Sequence, residues 1–520
     1  MSIPRTGRRP LRFAALGAAA LAAALALSAC SGSPEAAPSA SAGSVAEKDL
    51  AIAAVSGPNS LDPAQLVDGQ QQFVWSSILD TLLAKENNTG ELIPNAAESW
   101  QYNEDGTELT LTLREGMTFS TGDPVNADAV VATMLRNKNT PGVVQVKYGA
   151  VTDVTAEDDL TVKVTFSSFD PQFLSNLTGG AGAIGDPATL DDERTATDPV
   201  GSGPFTLDVA KTVPGSTYVL TKRDDYWNAD AIPFKTFTVR VLQDPTASFN
   251  ALQAGEINAA TVQTQLLGQL GDEYAIQQID AQAVAYLDIL DRGGEKWPAL
   301  GDERVRQALN YAIDREGVLK GIFSGVGMVT EQIFSPYGQV YDESLNETYD
   351  YDPEKGKELV EEAGYAGETF QIPSTFLSTS LEPTLTQAFA DVGLTLEWVP
   401  VPPQQAQSAH LSGDYPLSFQ FTGFNSDPAD AASHYGASGY ANPRGYTDDT
   451  IDELFGTINS TVDTEAALPA YQELNAYAVE QAFEVPIVFV GATWAGRDGI
   501  VMVDDGRSSV PTVRLFGVSE

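Results

Sequence analysis

Cysteine and histidine are almost absent from this chain of 520 residues. Cys30 is the only cysteine, and His410 and His434 are the only histidines. A single cysteine excludes a disulfide within the chain, so the fold must be stabilised by packing. The chain also has no Gly-x-Ser-x-Gly elbow, HExxH pair or phosphate-binding loop, which argues against a hydrolase. We therefore expect no catalytic residues and no cofactor.

The two histidines are also weak evidence for a metal site. His434 lies close in sequence to Asp427, which allows the hypothesis of a nickel site. Transition-metal sites need several nitrogen, oxygen or sulfur ligands, and a lone histidine is more often structural or exposed. The sequence therefore predicts no metal.

Basic side chains are scarce as well. The chain has 29 lysines and arginines against 71 aspartates and glutamates, a formal charge of −42. Such a surface repels the phosphate backbone of nucleic acids, so a nucleic-acid partner is excluded. Beyond the N-terminus, no apolar stretch approaches the roughly 20 residues of a membrane-spanning helix.

The N-terminus has the layout of an export signal. Arginines precede an apolar stretch, 13–26, that is too short to span a bilayer. Residues 27–30, LSAC, resemble the bacterial lipobox. This resemblance implies cleavage before Cys30, diacylation of its sulfur and anchoring of the protein to the outer face of the cell membrane. An ordinary signal peptide with an incidental cysteine is the alternative.

A segment rich in serine, alanine and proline follows the cysteine. Residues 31–47 read SGSPEAAPSASAGSVAE and contain almost no large apolar side chain, which is typical of a flexible linker. We therefore predict a lipoprotein signal peptide at 1–29, the lipidated cysteine with its linker at 30–47, and a folded part that starts at 48.

Several later segments have clear periodicity. Val305, Ala308, Leu309, Ala312 and Ile313 recur at the spacing of a buried helix face. Asp302 and Asp314 are placed to cap helix N-termini, and 352–364 reads as a capped helix that ends at a glycine. Alternation of apolar and polar residues at 160–166 predicts a strand.

A series of short motifs connects these segments. In order they are PNAAESW (94–100), DGTELTLTLREGMTF (105–119), GSGPF (201–205), RDDYW (223–227), LQAGEIN (252–258), VRQALNYAIDR (305–315), YDPEK (351–355) and EAGY (362–365). Together they resemble the family 5 solute-binding proteins of ABC importers. One departure is FSTG at 119–122, where family members often read Phe-His-Asp-Gly.

The resemblance implies an α/β protein with the two-lobed periplasmic-binding-protein fold. It would be of type II, in the large class with an extra subdomain, with mixed sheets flanked by helices and a hinge between the lobes. Lobe I would comprise 48–70, 195–286 and 487–520, with the extra subdomain at 71–194, and lobe II would comprise 287–486.

The stretch 419–428, where an alternating strand emerges into a polar loop, is the main candidate ligand site, since loops at strand ends commonly bind ligands. In peptide-binding family members an aspartate in a comparable region pairs with the ligand's α-amino group. Asp427 is the best match and Asp430 the next, with Phe424 and Asn425 in the same loop. Asp427-Pro428 also fits a simple helix cap, and both interpretations stay open.

Four further residues are candidates for contact with a ligand. Tyr435, Tyr440 and Trp494 could form aromatic walls, as could Phe424, although core packing is the better default for a single aromatic residue. Arg444 could meet a ligand carboxylate, although a surface ion pair is the better default in so acidic a chain.

The resemblance also implies a function. The protein would be a monomeric extracytoplasmic receptor that captures di- or oligopeptides by lobe closure. It would deliver them to the transmembrane subunits of an ABC permease, which works with a cytoplasmic ATPase. A receptor of the same fold for an oligosaccharide, a nickel chelate or another small solute is the alternative, and a secreted hydrolase is a distant one.

Overall fold

The structure is a computed structural model that describes residues 48–86, 91–402, 405–503 and 512–519. The predicted signal peptide, Cys30 and the linker lie outside the described residues. Within the described ranges, no helix combines the length and the apolar character needed to cross a bilayer.

The described residues form strands that are mostly short, except for two long ones, β12 and β17. In chain order the strands are β1 (Lys48–Ala54), β2 (Leu83–Lys85), β3 (Leu92–Pro94), β4 (Ala97–Tyr102), β5 (Glu108–Leu113), β6 (Val151–Ala156), β7 (Thr161–Phe166), β8 (Phe205–Leu207), β9 (Thr217–Lys222), β10 (Phe234–Val241), β11 (Ala259–Thr261), β12 (Ala275–Ile289), β13 (Gly327–Val329), β14 (Thr369–Ser374), β15 (Thr395–Pro400), β16 (Leu417–Gly423), β17 (Glu484–Gly496), β18 (Ile500–Met502) and β19 (Phe516–Val518).

The α-helices are concentrated in the second half of the chain. In order they are α1 (Gln72–Ile78), α2 (Ala127–Asn139), α3 (Phe173–Asn176), α4 (Pro245–Ala254), α5 (Pro298–Gly301), α6 (Glu303–Tyr311), α7 (Arg315–Gly321), α8 (Pro353–Ala363), α9 (Glu382–Asp391), α10 (Ala406–Leu411), α11 (Asp427–Tyr435), α12 (Asp449–Ser460) and α13 (Thr464–Glu480).

A mixed sheet of nine strands organises these elements. Its order is β16-β12-β17-β11-β1-β10-β9-β8, and β13 pairs with β17 beside this path. β1 is parallel to β10 and β11, whereas the other neighbours are antiparallel. An antiparallel sheet, β4-β5-β7-β6, lies within the predicted extra subdomain. Its strand β5 turns Leu109, Leu111 and Leu113 inward, as alternation requires.

Three clusters of buried apolar side chains matter for the site. The N-terminal core includes Leu50, Phe73, Leu111, Val164, Phe237, Ile279 and Trp494. The α6 core includes Leu287, Val305, Leu309, Phe370, Phe389 and Val485. The α13 core includes Tyr286, Phe334, Phe424, Leu474 and Phe489.

The two long strands contribute to all three cores. β12 places Ile279 in the N-terminal core and Leu287 in the α6 core, and β17 does the same with Trp494 and Val485. The strands pair antiparallel, with register shifts between Ile279 and Ala283 and between Ala285 and Tyr286. The predicted lobe boundaries, at 286/287 and 486/487, lie within this pair of strands and stay a prediction.

The local helix predictions are confirmed. Asp302 accepts from the Arg304 N–H at 3.0 Å at the start of α6, whose predicted apolar face is buried. Asp314 accepts from the Gly317 N–H at 2.8 Å at the start of α7. Asp352 caps α8, which begins at a proline and ends at Gly364 with φ of +83°.

The segment 201–204 approaches the backbone of α1 closely in the N-terminal core. The Gly203 N–H donates to the Ile78 carbonyl at the end of α1, at 2.8 Å. A methyl group added at Gly201 would lie 2.0 Å from the same carbonyl oxygen. Only glycine fits at this point without a shift of the backbone.

Replacing Gly201 with alanine should therefore destabilise the protein. Crowding of this kind typically costs about 1–3 kcal/mol of unfolding free energy. Gly268→Ala is a suitable control, because its added methyl group meets no described atom within 4 Å. Thermal unfolding followed by circular dichroism should give a lower midpoint for Gly201→Ala alone, and equal midpoints for the two variants would contradict the close packing.

Candidate functional site

A cavity of about 470 Å³ lies between side chains of the N-terminal core and of the α13 core. Its polar lining side chains are Asp68, Gln70, Gln72, Lys85, Lys147, Ser175, Asn176, Thr178, Thr261, Gln282 and Asn425. Its apolar lining side chains are Phe73, Phe424, Ala429, Trp494, Met502 and Leu515. The mixture suits a ligand that has both hydrogen-bonding and apolar parts.

The predicted loop after β16 forms one wall of this cavity. β16 is held in place by pairing with β12, where Gly423 lies opposite Ala283. The chain then leaves the sheet at Phe424 and Asn425, and both residues line the cavity. Phe424 packs edge-on against Phe489 of β17 at 5.5 Å between ring centroids, which fixes the base of the loop.

Asp430 lies behind this wall and holds the loop in shape. Its carboxylate accepts from the backbone N–H of Asn425 at 3.1 Å and from the Asn425 Nδ2 at 3.0 Å. Burial raises the pKa of Asp430, while His434 and the hydrogen bonds from Asn425 oppose that shift. The residue is 4% exposed and is not among the residues that line the cavity.

Asp427 is the first residue of α11, and the N-cap position belongs to Ser426, which makes no capping hydrogen bond from its side chain. The Asp427 carboxylate instead accepts from the backbone N–H groups of Gln339 and Val340. Two effects raise the pKa of Asp427 to about 6: burial, which is the larger, and the nearby charge of Asp430. Asp427 lies next to the loop that lines the cavity without being in the lining itself.

Lysines contribute to the opposite wall. Lys147 Nζ pairs with Asp68 Oδ2 at 2.5 Å, and the other oxygen of Asp68 accepts from the Gly180 N–H at 2.9 Å. Lys85 is half-buried at the end of β2. Burial lowers the pKa of Lys85, whereas the charges of Asp430 and Asp427 partly offset that effect.

Trp494 lines the cavity from β17 and is 6% exposed. Its ring meets that of Phe516 edge-on at 5.4 Å. A second, mainly apolar cavity of about 350 Å³ shares Trp494 and Met502 with the first. The indole therefore lies between the main cavity, whose lining is mixed, and a mainly apolar cavity.

The other predicted contact residues lie elsewhere. Tyr435 donates to Glu484 at 3.1 Å, and Tyr440 stacks on His410 with 4.3 Å between ring centroids. Arg444 donates to the Gly413 carbonyl at 2.6 Å. The structure thus brings Phe424, Asn425 and Trp494 to the cavity and does not bring these three side chains there.

Tyr435 belongs to a buried charge network at the paired ends of β12 and β17. Asp288 and Glu484 are cross-strand neighbours, and Arg292 Nη2 lies 3.3 Å from an oxygen of each. His434 Nδ1 lies 2.6 Å from Glu484 Oε1. Burial favours the neutral imidazole of His434, but the nearby carboxylates outweigh this effect, Glu484 most strongly, and raise its pKa.

Within the described ranges, no group of three or more histidine, cysteine, aspartate or glutamate side chains is arranged to hold a metal ion. Instead, His434 is engaged with Glu484, and His410 Nε2 lies 2.9 Å from the Tyr440 carbonyl oxygen. Both histidines therefore act in the packing of this region.

Sequence reasoning missed the part of the wall formed by Asp68, Lys85 and Lys147. A lysine that ends a short apolar stretch (LLAK, 82–85), in a chain with 71 acidic residues, is the signal that could have pointed to Lys85. Lys147 had no such signal, because the contact that brings it to Asp68 spans 79 positions.

Comparison with known families identifies a matching group. A sequence model of the family described as bacterial extracellular solute-binding proteins, family 5 Middle, matches residues 91–443, which is more than half of the chain. The cavity wall from Phe424 to Ala429 falls inside the matched range.

Individual relatives agree with this match. Heme-binding protein A of Haemophilus influenzae is 26% identical over 481 residues, covering 83% of this chain and 85% of that protein. Glutathione-binding protein GsiB of Pectobacterium atrosepticum is 31% identical over 330 residues, and the match spans 62% of each chain.

A solved structure shows the same architecture. The ABC transporter-associated periplasmic binding protein DppA of Helicobacter pylori, in complex with the peptide STSA, aligns with a TM-score of 0.73. The alignment is 22% identical in sequence and covers 91% of this chain and 98% of that one. The predicted two-lobed periplasmic-binding-protein fold is confirmed.

The buried network generates a prediction about pH. Burial, opposed by Arg292 and reinforced by Glu484, raises the pKa of Asp288 to about 8. In the unfolded chain the Asp288 carboxyl ionises near its ordinary pKa of about 4. Between about pH 4 and 8 the folded state therefore holds a proton on Asp288 that the unfolded state has lost. The stability that Asp288 contributes therefore falls as the pH rises and levels off above about 8.

Asp288→Asn removes this titration. We expect the thermal midpoint of the Asn variant, measured relative to the unsubstituted protein, to rise from about pH 5 to about pH 8 and then stay level. The exposed substitution Asp105→Asn is the control for a change in charge alone. A midpoint difference for Asp288→Asn that is constant with pH would show that Asp288 is ionised throughout this range.

Proposed function

The chain belongs to the bacterial extracellular solute-binding proteins of family 5, and we propose that it is the peptide receptor of an ABC importer. Its ligand is a di- or oligopeptide held in the cavity of about 470 Å³. The observation that carries this proposal is the composition of the cavity wall. Amide and hydroxyl side chains suit a peptide main chain, while Phe73, Phe424 and Trp494 suit its side chains.

The family relatives support a peptide over other solutes. One relative is named a glutathione-binding protein, and a solved structure of the same fold was determined with a bound tetrapeptide. Glutathione is itself a tripeptide. A nickel chelate has structural support of the same kind, because a structure of the same fold was determined with bound Ni(L-His). The described residues, however, include no group of three or more histidine, cysteine, aspartate or glutamate side chains arranged to hold a metal ion. An oligosaccharide has no comparable support among the relatives named above.

Haem is the second candidate, because the similarity to a heme-binding protein extends over 83% of the chain. The cavity lining argues against a haem ligated by histidine. His434 is bound to Glu484, and His410 is stacked on Tyr440, so neither faces the described lining. Haem therefore serves as a competitor in the binding assay.

The acidic side of the cavity supplies the proposed anchor for the ligand's α-ammonium group. Asp427 and Asp430 lie next to the Phe424–Asn425 wall and are both largely removed from water. A desolvated carboxylate gains from a charge-assisted hydrogen bond to an ammonium group. We assign the direct contact to Asp427, because the Asp430 carboxylate is already engaged with Asn425.

Binding and release follow from the fold without a chemical step. A ligand that contacts both walls of the cavity favours the closed conformation by its differential affinity for that state. The receptor then presents the unchanged ligand, as a monomer, to the transmembrane subunits of the permease. No catalytic role is assigned to any residue.

The N-terminal sequence supports a location outside the cytoplasm on the cell membrane. Diacylation of Cys30 would give two acyl chains, which hold a protein durably where one chain does not. The linker at 31–47 would then separate the folded part from the membrane.

The peptide assignment is tested by incubating the protein with an equimolar library of di- to pentapeptides and identifying the retained peptides by native mass spectrometry. A retained peptide is then titrated calorimetrically into the unsubstituted protein and into Asp427→Asn, which keeps an acceptor for the Gln339 and Val340 N–H groups. Loss of the ammonium pair should weaken binding by about tenfold or more.

Asp414→Asn, an exposed change of the same kind, is the control and should bind like the unsubstituted protein. The N-acetylated peptide should bind weakly and equally to all three proteins. Equal affinity of Asp427→Asn and the unsubstituted protein for the free peptide would remove the anchor role. Retention of haemin in place of any peptide would favour the second candidate.

Cys30→Ser tests the membrane anchor separately. The substitution removes the only thiol, so acylation is lost and the protein should move from the membrane fraction to the soluble extracytoplasmic fraction. Mass spectrometry of the mature N-terminus should show a diacyl adduct only when Cys30 is present. An unmodified thiol in the membrane-bound protein would contradict lipidation.

A further inference from the structure

Lys85 is a cavity lysine whose charge is not matched by a direct contact. Its side chain lines the main cavity and an adjoining narrow cleft that also includes Arg514. Its ammonium group forms neither a hydrogen bond nor an ion pair with any described residue. Lys147, which lines the same wall, differs because it is paired with Asp68 at 2.5 Å.

The carboxylates around Lys85 are already in use. Asp430, Asp427 and Asp68 are the acidic groups that act on it. Asp430 accepts from Asn425, Asp427 accepts from the backbone at 339–340, and Asp68 accepts from Lys147 and the Gly180 N–H. Each carboxylate attracts Lys85 from a distance, but none makes contact with it.

An ammonium group in this position becomes costly when a ligand displaces water from the cavity. Removing a charge from water without a partner is costly, whereas a well-placed counter-ion recovers much of that cost. The internal carboxylates would have to break existing hydrogen bonds to reach Lys85. A ligand carboxylate would not.

We propose that Lys85 pairs with a carboxylate of the bound peptide and makes the receptor selective for peptides that place an anionic group against this wall. The inference rests on the proposed peptide-binding function and narrows its ligand class. The carboxylate is either the free C-terminus or an acidic side chain, since both present the same group to Lys85. The ammonium of the ligand then pairs with Asp427 beside the Phe424–Asn425 wall, so the two ends of a zwitterion meet opposite charges.

The test uses four equimolar libraries of di- to pentapeptides, retained on the mature protein and quantified by native mass spectrometry. The libraries contain either glutamate or glutamine and end either in a free carboxylate or in an amide. The unsubstituted protein should enrich at least one carboxylate-bearing library over the library that has neither group by about tenfold or more. Which library is enriched identifies the source of the carboxylate.

Lys85→Gln should lose this enrichment, and Lys85→Arg should keep it. Lys163→Gln controls for the change in net charge, because it removes a lysine of β7 that is paired with Glu157. It should leave the enrichment unchanged. Thermal midpoints should be similar for all variants, because Lys85 makes no direct polar contact with the described residues.

Each other result decides against the proposal. Peptides retained without preference for a carboxylate, or a preference that persists in Lys85→Gln, would overturn the role of Lys85 and leave the peptide receptor standing. Tighter binding of neutral peptides by Lys85→Gln would instead make Lys85 an internal partner of Asp430. Retention of no peptide in any library would overturn the proposed function itself, and the role of Lys85 with it.

Discussion

The pairing of β12 with β17 is the constraint on which the cavity depends. The two strands are 15 and 13 residues long, and their opposite ends belong to different cores. β16 adds to β12 and delivers Phe424 and Asn425, while β17 itself delivers Trp494. The Phe424–Asn425 wall and Trp494 are therefore connected through backbone hydrogen bonds, and a register shift in this pair of strands would displace both at once.

Charge is distributed unevenly around this framework. The chain carries a net charge of −42, yet the described cavity has two lysines and one aspartate in its lining. Buried carboxylates are accommodated in two ways. Glu484 and Asp288 share Arg292, and Glu484 also contacts His434, whereas Asp427 and Asp430 are satisfied mainly by N–H groups. The first arrangement fixes the strand ends, and the second leaves negative potential beside the ligand space.

Much of the fold could be predicted from the sequence, whereas only one wall of the candidate site could be predicted. Caps at Asp302 and Asp314 and the alternation in β7 are local patterns, so spacing alone reveals them. The loop at 424–430 was found because a strand ends there. Tyr435 and Tyr440 do not line the described cavity. The sequence around an aromatic residue does not show whether its ring faces a ligand or the core. Lys85 and Lys147 were missed because their position depends on contacts between distant segments, which no periodicity encodes.

Proton binding and ligand binding are linked at this site. Burial lowers the pKa of Lys85 and raises that of Asp427 to about 6, so the empty cavity disfavours the charged form of each group relative to water. In the proposed complex a zwitterionic peptide would reverse both effects, because its carboxylate would favour the ammonium of Lys85 and its ammonium would favour the carboxylate of Asp427. Acidification below about pH 6 protonates Asp427 and removes one partner of this pair. The same desolvation that makes the charges costly in the empty cavity therefore makes their neutralisation by a peptide selective.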